Sequence, residues 1–247
     1  MHLKTIQASA LKAVFEVLKD IINDVNVYFT PSGVQILSLD TAHVTLVHMT
    51  LHAENFEEYS CPMVITAGLN MANTYKLLKS VSGQDTLTID IEGRDYMNIS
   101  IENPTKKSLT NFKLKLLDIN EDILVVPDIH MDVITTMPSI DFQKITRDMH
   151  NLSSQMSIKR YRNILELSCL GDFADQTTII EYPDSVTEIG NVYSLKYINM
   201  YTKATSMCSS VQILQNSSSS DMPIIFRYTI ANLGDLKFYL APNSSDN

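Results

Sequence analysis

Three histidines, His43, His48 and His52, fall within ten residues, with Asp40 just ahead of them. Imidazoles beside a carboxylate are the residue types that ligate zinc or relay protons. The spacing argues against both. The stretch 43–52 alternates as a strand does, so His48 and His52 point to one side and His43 to the other. There is no H-E-x-x-H, no G-x-S-x-G and no glycine-rich phosphate loop, and seven glycines are few for a nucleotide cradle. Cys61, Cys169 and Cys208 are odd in number and far apart, which gives neither a disulfide framework nor a zinc pattern and points to a reducing compartment. Cys61 and Cys169 read as small buried hydrophobes. The expectation is a protein that is not an enzyme, with no catalytic residues, no metal and no cofactor.

What the side chains do offer is electrostatic. With 19 Lys and Arg against 28 Asp and Glu, the chain has a net charge of −9, which excludes nucleic-acid binding by bulk attraction. Eight of the cations nevertheless fall in four pairs: Lys12 with Lys19, Lys76 with Lys79, Lys144 with Arg147, and Lys196 with Lys203. Separations of three or seven residues return to one face of a helix. One such pair is ordinary decoration of a solvated face. Four in an acidic chain make one positive surface inside a negative one.

The elements that must position these pairs follow from hydrophobic periodicity. Ser9 is expected to cap a helix with Leu11, Val14, Leu18 and Ile22 inward, and Asn70 a second over MANTYKLLKS. Ser139 and Ser194 are placed as caps of IDFQKITRDMHNL and LKYINMYTKATS. Between the first two lie alternating runs: VNVYF and GVQILSLD joined through Thr30–Gly33, then 43–52 and a short strand after Pro62. DTLTIDIEG, YMNISIEN and FKLKLLD close the first half. The second half has strands near 155–160, 163–170 and 176–182, the hairpin SSVQILQ…MPIIFRYTI, and LKFYLAP. The caps recur at offsets near 130 residues, so the chain reads as a duplication with an α+β plan in each copy. The domains are expected at 1–117 and 137–247, joined by a connecting loop at 118–136.

That connector carries Val125-Val126-Pro127. Pro127 forbids a helix interior or a central strand, while Ile123, Leu124, Val125, Val126, Ile129 and Met131 are too apolar for a plain linker. An extended apolar tether on the surface reads as a docking lip. No run of about 18 apolar residues exists, and the charged N-terminus has no signal-peptide core, so no membrane is expected among the partners.

The segments LDTAHVTLVHMTL (39–51), MPSIDFQKITRDM (137–149), YINMYTKATS (197–206) and ANLGDLKFYLAP (231–242) resemble the eukaryotic-type DNA sliding clamp, the proliferating cell nuclear antigen family, along essentially the whole chain. The resemblance implies the clamp fold: two similar domains per subunit, three subunits in a ring, helices lining a pore and antiparallel sheets outside. It also implies double-stranded DNA through the pore without sequence reading, a DNA polymerase and other replication or repair proteins tethered by short peptides, a clamp loader, and a site of action in the nucleus or at an intracellular viral replication site. The eight cations would face the phosphates through water, where an ionic screening length near 8 Å leaves the attraction diffuse.

By position, the family's peptide groove maps onto Leu39, His43, Val44 and Leu46 as floor, Leu124, Val126 and Pro127 as lip, and Met222, Pro223, Tyr239, Leu240, Ala241 and Pro242 as the opposite wall. The subunit joint would pair the strand carrying Leu109, Phe112, Lys113, Lys115 and Leu117 with the one carrying Thr177, Ile179, Glu181 and Tyr182 of a neighbour, Lys106 and Lys107 adding cations to the first and Asp172, Asp175 and Asp184 anions to the second. Val125-Val126-Pro127 lacks the family's usual glycine, and Met131 stands where an aromatic is expected, which marks a divergent member of a protist or large DNA virus. Two other arrangements share the fold: an open basic face that holds DNA without closing, and one subunit of a heterotrimeric ring.

Overall fold

The computed structural model describes residues 1–120, 124–126, 129–219 and 221–243. Along the first half run β1 (His2–Thr5), α1 (Ala8–Leu18), β2 (Asp24–Thr30), β3 (Gly33–Leu39), β4 (Thr45–His52), β5 (Glu58–Ser60), β6 (Ile65–Asn70), α2 (Met71–Leu78), β7 (Thr86–Ile91), β8 (Tyr96–Asn103) and β9 (Ser108–Lys115). The second half continues with β10 (Val133–Pro138), α3 (Ser139–His150), β11 (Gln155–Cys169), β12 (Gln176–Ser194), α4 (Leu195–Tyr201), β13 (Ser210–Gln215), β14 (Ile224–Ile230) and β15 (Gly234–Leu240). Two compact units result. The first gathers Met1–Thr41, Val47–Val126 and Thr229–Leu236, the second Ala42–Leu46, Pro127–Tyr228 and Lys237–Asn247.

In the first unit a five-stranded sheet runs in the order β5-β1-β7-β8-β9. Period-two alternation places Leu87, Ile89 and Ile91 of β7 opposite Ile101, Ile99 and Met97 of β8, all buried. Each such aliphatic side chain, fully buried, contributes about 1.5–3 kcal/mol. The β2–β3 hairpin pairs Thr30 with Gly33, leaving Pro31 and Ser32 as its loop. Gly33 has φ 141°, and a Cβ there would fall 1.9 Å from the Leu51 carbonyl oxygen, so only glycine closes this turn. The Tyr59 hydroxyl donates to the carbonyls of Thr30 (2.6 Å) and Gly33 (2.8 Å), and burial pushes its phenol up to about 12.

Strand β1, flanked by β5 and β7, was absent from the sequence expectation. Its His2 bridges both neighbours, with Nδ1 2.7 Å from Asp90 and Nε2 3.2 Å from Glu58, while the Lys4 ammonium donates to the same Glu58 at 2.7 Å. The hydrogen bond to Asp90 chiefly, then the charges of Asp90 and Glu58, raise the imidazole above its ordinary 6.5. A raised folded value means the bridge is fully formed below pH 6.5 and its stabilisation is lost as pH rises through the elevated value. The wild-type melting temperature is therefore expected to fall between pH 6 and 8 relative to a His2→Gln variant; parallel curves would contradict this. The ring is only partly covered, so solvent screens the two pairings.

The second unit centres on aromatics. Tyr201 stacks on Phe238 with ring centres 4.4 Å apart and Phe142 on Phe226 at 5.5 Å, all fully buried. The Thr45 and Tyr201 hydroxyls share a short hydrogen bond there.

Several local expectations are corrected. Only Asn70 caps through its side chain, accepting from the Asn73 amide at 2.9 Å. Ser9 lies inside α1, whose N-cap position is Gln7, and Ser139 is the first residue of α3, its hydroxyl donating instead to the Cys208 carbonyl. Ser194 stands at the N-cap of α4 without a side-chain cap bond. The strands expected at 155–160 and 163–170 are one, β11, and β12 runs twelve residues beyond 182 to Ser194. The join is a bulge at Arg162 (φ 49°). Arg160, 1 % exposed, fills it: its guanidinium donates to the carbonyls of Arg162 (2.8 Å), Ile164 (3.3 Å) and Asp184 (3.2 Å), and pairs with the Asp184 carboxylate at 2.9 Å. The end of the expected connector is also strand, since Val133, Thr135 and Met137 of β10 alternate inward against β13. His43, with φ 56°, belongs to the turn before β4 and not to the strand.

Candidate nucleic-acid and partner interfaces

In the first unit α1 packs on α2. α1 buries Leu11, Val14, Val17 and Leu18, which leaves Lys12 at the margin and Glu16 outward. Lys12 is engaged: its ammonium donates to the Val81 carbonyl at 2.9 Å, tying α1 to the turn after α2. Lys19, at the C-cap, pairs with Asp20 at 3.0 Å and lies 5.2 Å from the Tyr75 ring. Lys76 and Lys79 are exposed on and just after α2; Lys76 donates to the Asn73 side chain at 3.1 Å.

In the second unit α3 packs on α4, and two amides lock the pair. Gln143 donates to the Thr202 carbonyl (2.9 Å), and Asn199 to those of Leu195 (2.9 Å) and Thr146 (3.3 Å). With Phe142, Thr146 and Met149 inward, Lys144 and Arg147 are exposed, as are Lys196 and, in a 3-10 turn at Thr202–Ser206, Lys203.

The four pairs are unequal. α1 carries Glu16 and is followed by Asp20, and α3 carries Asp141 and Asp148, whereas Met71–Ser80 and Leu195–Ser206 contain no carboxylate. The pairs whose own helix carries no carboxylate are those of the second helix of each unit. Sequence reasoning counted cations without subtracting their neighbours.

The expected peptide-groove residues fall in both units. In the first, Leu39, Leu124 and Val126 are half-buried and Val125 is 81 % exposed; Pro127 lies outside the described residues, as does Ile123. In the second, His43 and Ala241 are exposed, Val44, Leu46 and Pro242 half-buried, and the Ala241 amide donates to the Val44 carbonyl at 3.2 Å. Tyr239 is buried and Leu240 wholly so, which makes Leu240 a core residue. Met222 is exposed, and with Pro223 it lines a small cleft over the buried Gln215. A fastening that sequence reading missed holds the connector's end. Asn216 donates to the His130 carbonyl at 2.6 Å, and the Ser217 amide to Asp132 at 2.8 Å. The Ser217 hydroxyl and amide together hold the Asp132 carboxyl below its usual range.

The two expected joint strands both present open edges among the described residues. β9 ends the five-stranded sheet and β12 pairs only with β11. On β9, Leu109, Lys113 and Lys115 are exposed and Phe112 is half-buried opposite Ile99; Leu117, 42 % exposed, follows the strand. On β12, Thr177, Ile179 and Glu181 are exposed. Tyr182 is partly committed inside its own unit, donating to the Thr136 carbonyl at 3.0 Å. No group of three or more His, Cys, Asp or Glu among the described residues could hold a metal ion.

Residues 1–124 match the family described as proliferating cell nuclear antigen, N-terminal domain, and residues 125–243 its C-terminal domain. The chain is also 36 % identical over 254 aligned residues to the probable DNA polymerase sliding clamp 1 of Paramecium bursaria Chlorella virus 1, covering 98 % of this chain and 96 % of that protein. With both domain matches together spanning nearly its whole length, this chain belongs to the proliferating cell nuclear antigen family of non-enzymatic sliding clamps.

Proposed function

We propose that the protein is a DNA polymerase processivity factor that works as a closed ring of three identical subunits around duplex DNA. The observation that carries this is the placement of basic pairs on the helices of both units in a chain of net charge −9. A surface of that kind attracts phosphates weakly and elsewhere repels them, so a ring slides and is retained by topology. The cations are Lys12, Lys19, Lys76, Lys79, Lys144, Arg147, Lys196 and Lys203, with the largest share from the carboxylate-free helices. Family membership supports DNA and a polymerase as partners; a clamp loader would open the ring, and the site of action is a nucleus or a viral replication site. The joint pairs the open edges of β9 and β12, with the cations Lys106, Lys107, Lys113 and Lys115 of the first facing the carboxylates Asp172, Asp175, Glu181 and Asp184 around the second.

Partner proteins dock through a short peptide on Leu124, Val126 and Pro127 from the connector together with His43, Val44, Tyr239, Ala241 and Pro242. Each buried anchor contributes roughly 1.5–3 kcal/mol before ordering costs, which gives about micromolar affinity. A fluorescent peptide carrying a glutamine, an aliphatic and two aromatics is expected to bind at that level. Val126→Asp is expected to weaken binding at least tenfold. Equal affinity in the variant would move the groove elsewhere.

A further inference from the structure

Leu170 and Phe173, at the tip between β11 and β12, are 81 % and 80 % exposed, among the least covered large apolar side chains described. They stand in a preformed turn. Cys169 and Gln176 close it in register, the Asp175 carboxylate accepts the Gly171 amide at 3.2 Å, and a Cβ at Gly171 would meet the Ala174 and Leu152 carbonyl oxygens at 2.6 Å. A phenyl ring so placed adds nothing to the fold of its own chain, and exposed apolar groups held rigidly mark contact sites. Asp172 and Asp175 beside it are exposed too.

We infer that this tip is the anchor of the subunit joint and seats on Tyr96 and Leu117 of a second copy of the chain. The inference rests on the pairing of β9 with β12 proposed above. Antiparallel pairing is the more stable choice, and it brings the start of β12, and so the tip, to the end of β9. There Tyr96 and Leu117 are 36 % and 42 % exposed, Tyr96 lies opposite Lys115, and the Lys113 ammonium sits 4.2 Å from the Tyr96 ring centre. Apolar groups then meet apolar groups, and Asp172 and Asp175 meet Lys113 and Lys115. At the far end Glu181 and Asp184 meet Lys106 and Lys107. A parallel joint would instead set the tip's carboxylates beside Glu102, the register partner of Leu109.

The test is the concentration dependence of molar mass by sedimentation velocity on the full chain. Phe173→Ser is expected to raise the concentration of half-dissociation at least tenfold, and Phe173→Leu to change it little. Because the residue is exposed, the melting temperature of the dissociated chain should not move. Combined with Tyr96→Ala, the loss should be smaller than the product of the separate losses, the mark of a shared contact. Thr177→Lys with Ile179→Lys on β12 tests the joint itself. Dissociation by that pair, with Phe173→Ser and Leu170→Ser both silent or with strictly multiplicative effects of Phe173→Ser and Tyr96→Ala, overturns the anchor alone. A wild type that is monomeric at every concentration overturns the joint and the anchor together.

Discussion

Replacing Lys76, Lys79 and Lys196 together by alanine is expected to weaken the attraction between ring and duplex about thirtyfold, read as the yield of clamp loaded at limiting DNA, with molar mass and melting temperature unchanged. The magnitude follows from screened electrostatics. Two unit charges about 8 Å apart in water interact by roughly 0.5 kcal/mol, and one screening length reduces this to about 0.2 kcal/mol. Nine charges removed from a three-subunit ring then amount to roughly 2 kcal/mol, or some thirtyfold. These three are chosen because α2, α4 and the residues just after them hold no carboxylate, so none of the three can pair with an acid on its own helix. Lys12 and Lys19 would be poorer probes, since one ties α1 to the Val81 carbonyl and the other pairs with Asp20. An unchanged yield would contradict the placement of these cations against the duplex. A raised salt concentration should erase the difference between variant and wild type.

Arg160→Met is expected to destabilise the second unit by about 2–4 kcal/mol, lowering its melting temperature by roughly 5–12 °C. Two effects compete. Replacing a buried charge by a hydrophobe of similar length often stabilises, because the desolvation cost disappears. Here the guanidinium also serves the carbonyls of Arg162, Ile164 and Asp184 where the bulge interrupts the ladder, and methionine leaves them without that donor. The three contacts are part-buried, so each acceptor so deprived costs about 1 kcal/mol, the low end of the range, and together they outweigh the gain. The carboxylate half of the pair matters less: Asp184 is 57 % exposed, so Asp184→Asn should cost little. Thermal melts of the two variants separate the cases, and an Arg160→Met protein as stable as wild type would show the bulge carbonyls satisfied by water.

The repeated plan and most elements were legible because they rest on local periodicity. Leu87, Ile89 and Ile91, or Leu11, Val14 and Leu18, declare their faces within one element. The alternation of Val133, Thr135 and Met137 was equally legible but was overshadowed by Pro127 a few residues earlier. What local pattern could not supply were pairings over distance. The fastening of Asp132 to Ser217 spans 85 residues, and a run of serines in a turn carries no sign of it. Lys12 reads as a free cation until the Val81 carbonyl, 69 residues on, is brought beside it. The serine cap failed for a related reason: Ser139 is drawn into the first turn of α3, where its hydroxyl donates to the Cys208 carbonyl, 69 residues away. The exposed tip was legible only as composition, since whether Phe173 is covered depends on where β11 and β12 end.

The most direct test of the ring is the molar mass of the full chain by light scattering after size exclusion at moderate salt. A mass near three times 27.8 kDa, constant as the protein is diluted through the micromolar range, is the predicted result and makes the helix cations the lining of a pore. A single-chain mass at every concentration would contradict it, leaving either an open basic face on DNA or a ring completed by a different subunit.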